Sequence, residues 1–246
     1  MTALEKSELC RLRDQAMAFS HACIKTRIGH LGTDKSKIIF EIRDSLIYRA
    51  WFVQWHVDYL QRQHRAFEKE LQGQILEVLN SPQLLFTHRS VLSFIFDDIV
   101  FNSASMFDYI GNLVGLAYLG PNKTRLKWNG ALNSSRDKSN PIYGAPVAEK
   151  LLIAHKEWVD HLMNYRGDTI HHKIDLGTAG HKFEISKEKL DVKLNAHIPC
   201  SLAKSIFQNK SDLSLVDGSK LLAESSAKYC NGILACMETT MDHDYW

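Results

Sequence analysis

The sequence is poor in the short motifs that usually betray an enzyme. Neither Gly-x-Gly-x-x-Gly nor the P-loop pattern occurs, so the two common glycine-built phosphate cradles are excluded. There is no Gly-x-Ser-x-Gly elbow, and hence no sign of a hydrolase nucleophile on a strand-to-helix turn. The five cysteines (Cys10, Cys23, Cys200, Cys230, Cys236) are odd in number, irregularly spaced and contain no Cys-x-x-Cys pair. They argue against a disulfide framework and for a reducing, cytoplasmic setting. Uninterrupted apolar runs of about 18 residues are absent too, so no membrane partner is expected. The start, Met1-Thr-Ala-Leu-Glu-Lys-Ser-Glu8, is polar and acidic and does not read as a signal peptide. With 30 Lys+Arg against 28 Asp+Glu the net charge is only +2, so contact with nucleic acid would have to come from a local patch.

Proline is also scarce, and its placement shapes the reading. From Ser36 to Leu79 there is none, and Ile38, Ile42, Leu46, Ala50, Val53, Val57 and Leu60 recur every three or four residues. That spacing predicts one face of a long helix, thickened by Trp51, Phe52, Trp55 and Tyr59. Asn80-Ser81-Pro82 ends it and opens the next, with Ser81 as cap and Pro82 at the first helical position. Over 83–119 the apolar stripe of Leu92, Ile95, Ile99, Met106, Ile110, Leu113 and Ala117 is flanked by Phe96, Val100, Phe107 and Val114. An arc that wide predicts a central helix, stopped by Gly120-Pro121. A shorter helix is expected over 3–25, and Arg27 to Lys35 reads as a loop leading to a cap at Thr33 or Asp34.

Residues 120–145, with Gly130, Pro141 and Gly144, read as a long loop. It carries Lys123, Arg125, Lys127, Arg136 and Lys138 against Asp137, with Trp128 among them. Charge plus an aromatic ring is how proteins hold single-stranded nucleic acid, so Lys123, Arg125, Lys127 and Trp128 become candidate RNA contacts, beside the simpler reading of a solvated loop. A third long helix is predicted from Pro146 to 172. The period then changes: Phe183 and Ile185 precede Ser186-Lys-Glu-Lys189, and Leu190, Val192 and Leu194 follow, an alternation that predicts a β-hairpin with one wet face. A short helix within 196–210 and a last one from Leu213 to Met241 complete an all-α, up-and-down bundle of about four long helices, the small hairpin (182–194) inserted before the last. Residues 1–35 form an N-terminal helix and loop, and 36–246 the helical domain.

The twelve histidines invite a metal. A helical ligand pair needs His-x-x-x-His or Glu-x-x-His. His155 and His161 are six apart, and His171 and His172 are adjacent, so neither pair shares a face. No metal and no cofactor are expected. The densest chemistry is Asn164-Tyr-Arg-Gly-Asp-Thr-Ile-His-His-Lys173. Arg166 is a permanent cation whose fork suits phosphate, and His171 trades protons near neutrality. Together they could cut RNA without metal: the 2′-hydroxyl attacks, histidine moves the proton, and arginine steadies the charge on phosphorus. The alternative is an arginine paired with Asp168 and a histidine favouring the helix C-terminus. Asp108 and Asn112, four apart on an otherwise apolar helix, are candidate supports or simply surface positions.

An arginine, four residues and a histidine late in the third helix, behind the helix Ser103-Ala-Ser-Met-Phe-Asp-Tyr-Ile-Gly-Asn-Leu113, resemble the HEPN superfamily (higher eukaryotes and prokaryotes nucleotide-binding). The resemblance covers 36–175 and the last helix, and not the hairpin or the first 30 residues. It implies a metal-independent endoribonuclease acting as a homodimer, with Arg166 and His171 catalytic, RNA as substrate and an antitoxin-type protein as a further partner in a defence or toxin–antitoxin setting. One departure is Gly167, where that family often carries a polar residue, frequently Asn; Asp168 is the nearest substitute. Other members of the superfamily bind nucleotides or partners and cleave nothing. A non-catalytic binding domain and a metal-dependent bundle enzyme therefore stay open beside the nuclease.

Overall fold

A computed structural model describes residues 7–28, 33–73, 82–171, 179–185, 190–207 and 213–240. Helices dominate: α1 (Glu8–Cys23), α2 (Thr33–Gly73), α3 (Pro82–Leu119), α4 (Lys127–Arg136), α5 (Pro146–Ala154), α6 (Asp160–His171), α7 (Cys200–Ser205) and α8 (Leu215–Thr240). Strands β1 (Ala179–Ile185) and β2 (Leu190–Ala196) form the hairpin between α6 and α7. The all-α bundle with an inserted hairpin is what the periodicities predict. The strands pair antiparallel from Ile185↔Leu190 out to Ala179↔Ala196, three residues longer at the amino-terminal end and two at the other than the alternation alone defined. The expected cap Ser81 and the turn 186–189 lie outside the described residues.

The chain divides into two compact units, with boundaries inside the sequence of α2 and α3 and again near the start of α6 and in α8. The first contains Met1–Phe52, Asn102–Asp160 and Ala223–Trp246. Its core is built from Leu12 and Phe19 of α1, Leu46 of α2, Phe107 and Ile110 of α3, and Leu234 of α8, all fully buried. The sequence sets residues 1–35 apart as an N-terminal piece. In the structure α1 belongs to this unit and is tied to α8. The Glu8 backbone N–H donates to Glu224 Oε2 at 2.7 Å, and Asn231 Nδ2 donates to Glu8 Oε2 at 2.8 Å. These bonds satisfy an amide at the open start of α1, where no intrahelical acceptor exists.

The stretch predicted as one helix from Pro146 is broken by a π-helical turn, His155–Val159, between α5 and α6. A π turn accommodates one extra residue. Here it lets Trp158 and Val159 both be buried and sets His155 Nε2 3.8 Å from Asp160 Oδ1, five residues on. Trp158 Nε1 donates to Ser226 Oγ at 2.9 Å, and its ring stacks on Tyr229 at 6.0 Å. A second π turn, Ile24–Ile28, extends α1 past the point where the sequence suggested a loop.

The second unit contains Val53–Phe101 and His161–Leu222. Leu60 of α2, Leu92 and Ile99 of α3, Leu162 of α6, Leu202 of α7 and Leu222 of α8 are buried in it. Here Ser214 caps α8: its Oγ accepts from the Asp217 N–H at 3.0 Å and donates to Asp217 Oδ2 at 2.7 Å. Asp217-Gly218, which as a sequence pair suggests a weak helix start, is therefore a reciprocal cap. Gly218 is required for a second reason, because a methyl there would overlap Ile198 Cγ2.

The abundance of histidine has a structural account among the described residues. His56 lies 3.4 Å from Asp98, His64 3.6 Å from Glu68 and His88 3.3 Å from Glu70. The His88 ring, buried, also stacks on Phe67 at 4.0 Å. Among the described helices, Phe86–Leu119 is long and apolar enough to cross a membrane, and 61% of its apolar window is buried inside the protein, as a core helix requires.

Tyr229 gives this packing a measurable signature. Burial, and then the hydrogen bond it donates to Glu157 Oε2 at 2.9 Å, push its hydroxyl up from 10.0 to about 12. The folded state holds the neutral phenol, so this contribution to stability is complete below about pH 10 and is lost as pH rises toward 12. In a difference titration followed by tyrosinate absorbance, Tyr229→Phe should remove a transition centred well above those of exposed tyrosines. A wild-type curve with every tyrosine ionising near pH 10 would contradict it.

Candidate functional site

Arg166 is placed by its neighbour. Tyr165 is buried, donates its hydroxyl to Asp97 Oδ1 at 3.0 Å and meets Phe96 edge-on at 6.5 Å. With Leu162 fully buried one turn earlier, this fixes the rotation of α6 about its axis. Arg166 is consequently half-buried, and Asp168 is exposed. A methyl added at Gly167 would meet nothing within 4 Å, so no close backbone approach requires glycine there. The helix stays α-helical through His171, which separates positions 166 and 171 by about 140° around the axis. The side chain of His171 and all of His172 lie outside the described residues.

Asp108 and Asn112 do something else. Both belong to the first unit, and both serve α4. Asn112 Oδ1 accepts the Lys127 N–H at 2.8 Å, and Asp108 Oδ1 accepts the Trp128 N–H at 3.3 Å. Helix α4 has no cap of its own at Leu126. The side chains of α3 supply from outside what an N-cap supplies from within, and a carboxylate there also suits the positive end of the α4 dipole. Glycine makes the approach close enough. A Cβ on Gly111 would overlap the Lys127 carbonyl, and one on Gly115 would come 2.5 Å from the Lys123 carbonyl oxygen. Lys127 is held at φ 53, the described non-glycine residue with positive φ. Of the two readings the sequence offers, catalytic supports or surface positions, neither describes this role: the pair docks a helix.

The same region corrects the long-loop reading. Residues 127–136 are helical because the cap, invisible in the local sequence, comes from α3. Trp128 is only 1% exposed and meets Phe107 edge-on at 5.3 Å, so its ring is core and unavailable to stack on a base. Lys123, Arg125 and Lys127 are exposed, so their charge does reach solvent.

The sequence did not point to a polar cleft of about 370 Å³ in the second unit. Gln61, His64, Arg65 and Glu68 of α2 line one side, Leu194 to His197 another, and Ser214, Val216, Asp217 and Lys220 of α8 the third. His64 stands between Glu68 and the Leu194 carbonyl oxygen, 3.0 Å from its Nε2. His197 Nδ1 is buried without a hydrogen-bond partner among the described residues. The cleft's lining includes both cations, Arg65 and Lys220, and carboxylates, Glu68 and Asp217, so it suits a small polar group better than an extended anion. Its lining comes from three segments far apart in sequence, so no local spacing marks it. Among the described residues no three His, Cys, Asp or Glu side chains gather as a metal site.

Comparison with family models, with curated proteins and with solved structures finds no match for this chain.

The docking role is open to test. Asp108→Ala and Asn112→Ala should each lower unfolding free energy by about 1 kcal/mol, and Gly111→Ala by about 1–3 kcal/mol through overpacking against backbone. Urea denaturation measures all three. Substitutions at Asp108 and Asn112 that leave the midpoint unmoved would show that α4 does not depend on them.

Proposed function

We propose that the chain is an RNA-acting helical domain of the HEPN kind, cutting RNA without a metal at Arg166 and His171. The observation that carries this reading is the placement of Arg166. It is half-buried on a helix whose rotation is fixed by Leu162 and Tyr165, one α-helical segment upstream of His171. A cation carried on a helix of fixed rotation would need little reorganisation as charge develops on a phosphate. In this scheme the RNA 2′-hydroxyl attacks the adjacent phosphorus and the 5′-oxygen leaves. His171 transfers the proton and Arg166 stabilises the pentacoordinate anion. The setting would be a reducing one such as the cytoplasm.

A specific observation favours a second reading, a domain that binds RNA or a partner and cleaves nothing. Two of the residues expected to support the pair, Asp108 and Asn112, are occupied in docking α4, and Trp128, a candidate RNA contact, is packed on Phe107. That leaves Arg166 and His171 with Asp168 alone from the expected set, and Gly167 adds no side chain beside the arginine.

The two readings part on one assay. Single-stranded RNA incubated with the protein in EDTA should be cut to fragments with 2′,3′-cyclic ends. His171→Ala and Arg166→Ala should each slow cutting by about a hundredfold or more. RNA that stays intact across diverse sequences, while binding weakens in Arg166→Ala, supports the non-catalytic domain. Cutting that EDTA abolishes would sink the metal-independent scheme.

A further inference from the structure

The polar cleft of the second unit plays no part in the RNA scheme. All of its lining falls within Val53–Phe101 and His161–Leu222, so it is a site of one compact unit. Its walls are tied together. The backbones of His197 and Ser214 pair as a bridge, the Ile198 N–H donates to the Leu213 carbonyl at 3.3 Å, and the start of α8 is locked by the Ser214–Asp217 cap. On the α2 side, His64 Nε2 lies 3.0 Å from the Leu194 carbonyl oxygen and must carry the proton of that bond, because a carbonyl only accepts. The other ring nitrogen, Nδ1, is 3.6 Å from Glu68 Oε2. The volume of about 370 Å³ falls within the span of small-molecule sites, roughly 300–1,000 Å³.

The charges of the lining come as two pairs. On α2, Arg65 precedes Glu68 by three residues; on α8, Asp217 precedes Lys220 by three. Residues three apart on a helix are neighbours, and opposite charges there can pair, as Glu8 and Arg11 do at 2.8 Å. Among the described residues neither pair of the cleft closes in this way. The ion contact of Glu68 is with His64, and the carboxylate of Asp217 is held by Ser214. A cation and an anion therefore stand side by side on each of two walls without neutralising each other. The third wall holds His197, whose Nδ1 is buried without a hydrogen-bond partner among the described residues. Buried polar atoms are nearly always hydrogen-bonded in folded proteins, so an exception calls for an explanation, and a ligand's polar group supplies one.

We propose that the cleft binds a free α-amino acid, its carboxylate on Arg65 and its ammonium on Glu68. Both charged groups of an amino acid sit on one carbon, so they need a cation and an anion at adjacent positions, which the spacing of Arg65 and Glu68 provides. The guanidinium fork takes a carboxylate through two parallel bonds, and a glutamate oxygen accepts from an ammonium. His197 and the amide of Gln61 are left to hydrogen-bond a polar side chain. A nucleotide would bring phosphate toward Glu68 and Asp217, which like charge opposes. An apolar ligand would take water from four charged groups and return nothing. The proposal does not rest on the RNA reading, on Arg166 or on His171.

Thermal shift and isothermal titration calorimetry of the full chain test this. Each of the common L-amino acids is screened singly at about 10 mM for a rise in Tm, and the strongest is titrated. A polar amino acid should bind with a Kd below about 1 mM. Its deaminated and its decarboxylated analogues should each bind at least about tenfold more weakly, because each leaves Glu68 or Arg65 unmatched. Arg65→Gln and Glu68→Gln should each weaken the amino acid by about tenfold as well. Both positions reach solvent, and far-UV circular dichroism checks that the helices persist. The proposal is overturned if no amino acid raises Tm, or if either single-charge analogue binds as well as its parent. Binding that both variants leave unchanged, or that inorganic phosphate displaces as readily as the amino acid itself, overturns it too.

Discussion

Helix α3 sets the constraint that the rest of the structure meets. Along its length Leu92, Phe96, Ile99, Phe107, Ile110, Leu113 and Val114 are buried, and so are Gly111 and Gly115. A helix apolar over so wide an arc cannot be covered by one neighbour. In the first unit part of that cover is α4, and the manner of its attachment follows from helix physics. A ten-residue helix with no cap of its own leaves N–H groups unsatisfied, and an isolated helix of that length is marginal in water. Asp108 and Asn112 resolve the first problem and Trp128 against Phe107 the second. The two glycines of α3 remove the side chains that would otherwise hold the helices apart. Two polar residues on an apolar helix are thus part of how that helix becomes buried.

What could be read from sequence divides along the same line. Elements governed by local periodicity were legible. Helices α2 and α3 follow from spacing and proline placement, and the hairpin register from alternation about Ser186 to Lys189. The rotation of a helix or the existence of a cap supplied from elsewhere was not. Residues 127–136 contain Gly130 and lie between prolines, so locally they argue for a loop, and only caps fifteen and twenty residues upstream decide otherwise. The π turn at His155–Val159 was invisible for a related reason. Its signature is a bond pattern, and the apolar spacing of Val147, Leu151, Trp158 and Leu162 fits an unbroken helix just as well.

The candidate site shows how far residue types can carry a functional argument. Arginine and histidine in one turn and a half of helix are chemically sufficient for metal-free RNA cleavage, which is why the pair stood out. Sufficiency of type does not choose among the polar residues around it. Tyr165 illustrates the difference: nothing in Asn-Tyr-Arg marks it as the anchor, yet its bond to Asp97 determines what Arg166 beside it can reach. The histidines teach the converse. His56, His64 and His88 lie beside carboxylates contributed by the helices of their own unit, and such pairs need no bound metal to account for a histidine-rich composition.

Burial and exposure together decide which aromatic residues ask for a partner. Trp128, Trp158 and Trp51 are equally conspicuous as letters. Trp128 and Trp158 are packed within the first unit, one against Phe107 and the other through Ser226 and Tyr229. Trp51 is 62% exposed, on the same face of α2 as exposed Tyr48. Single exposed apolar side chains are ordinary, whereas a contiguous exposed row marks an interaction surface.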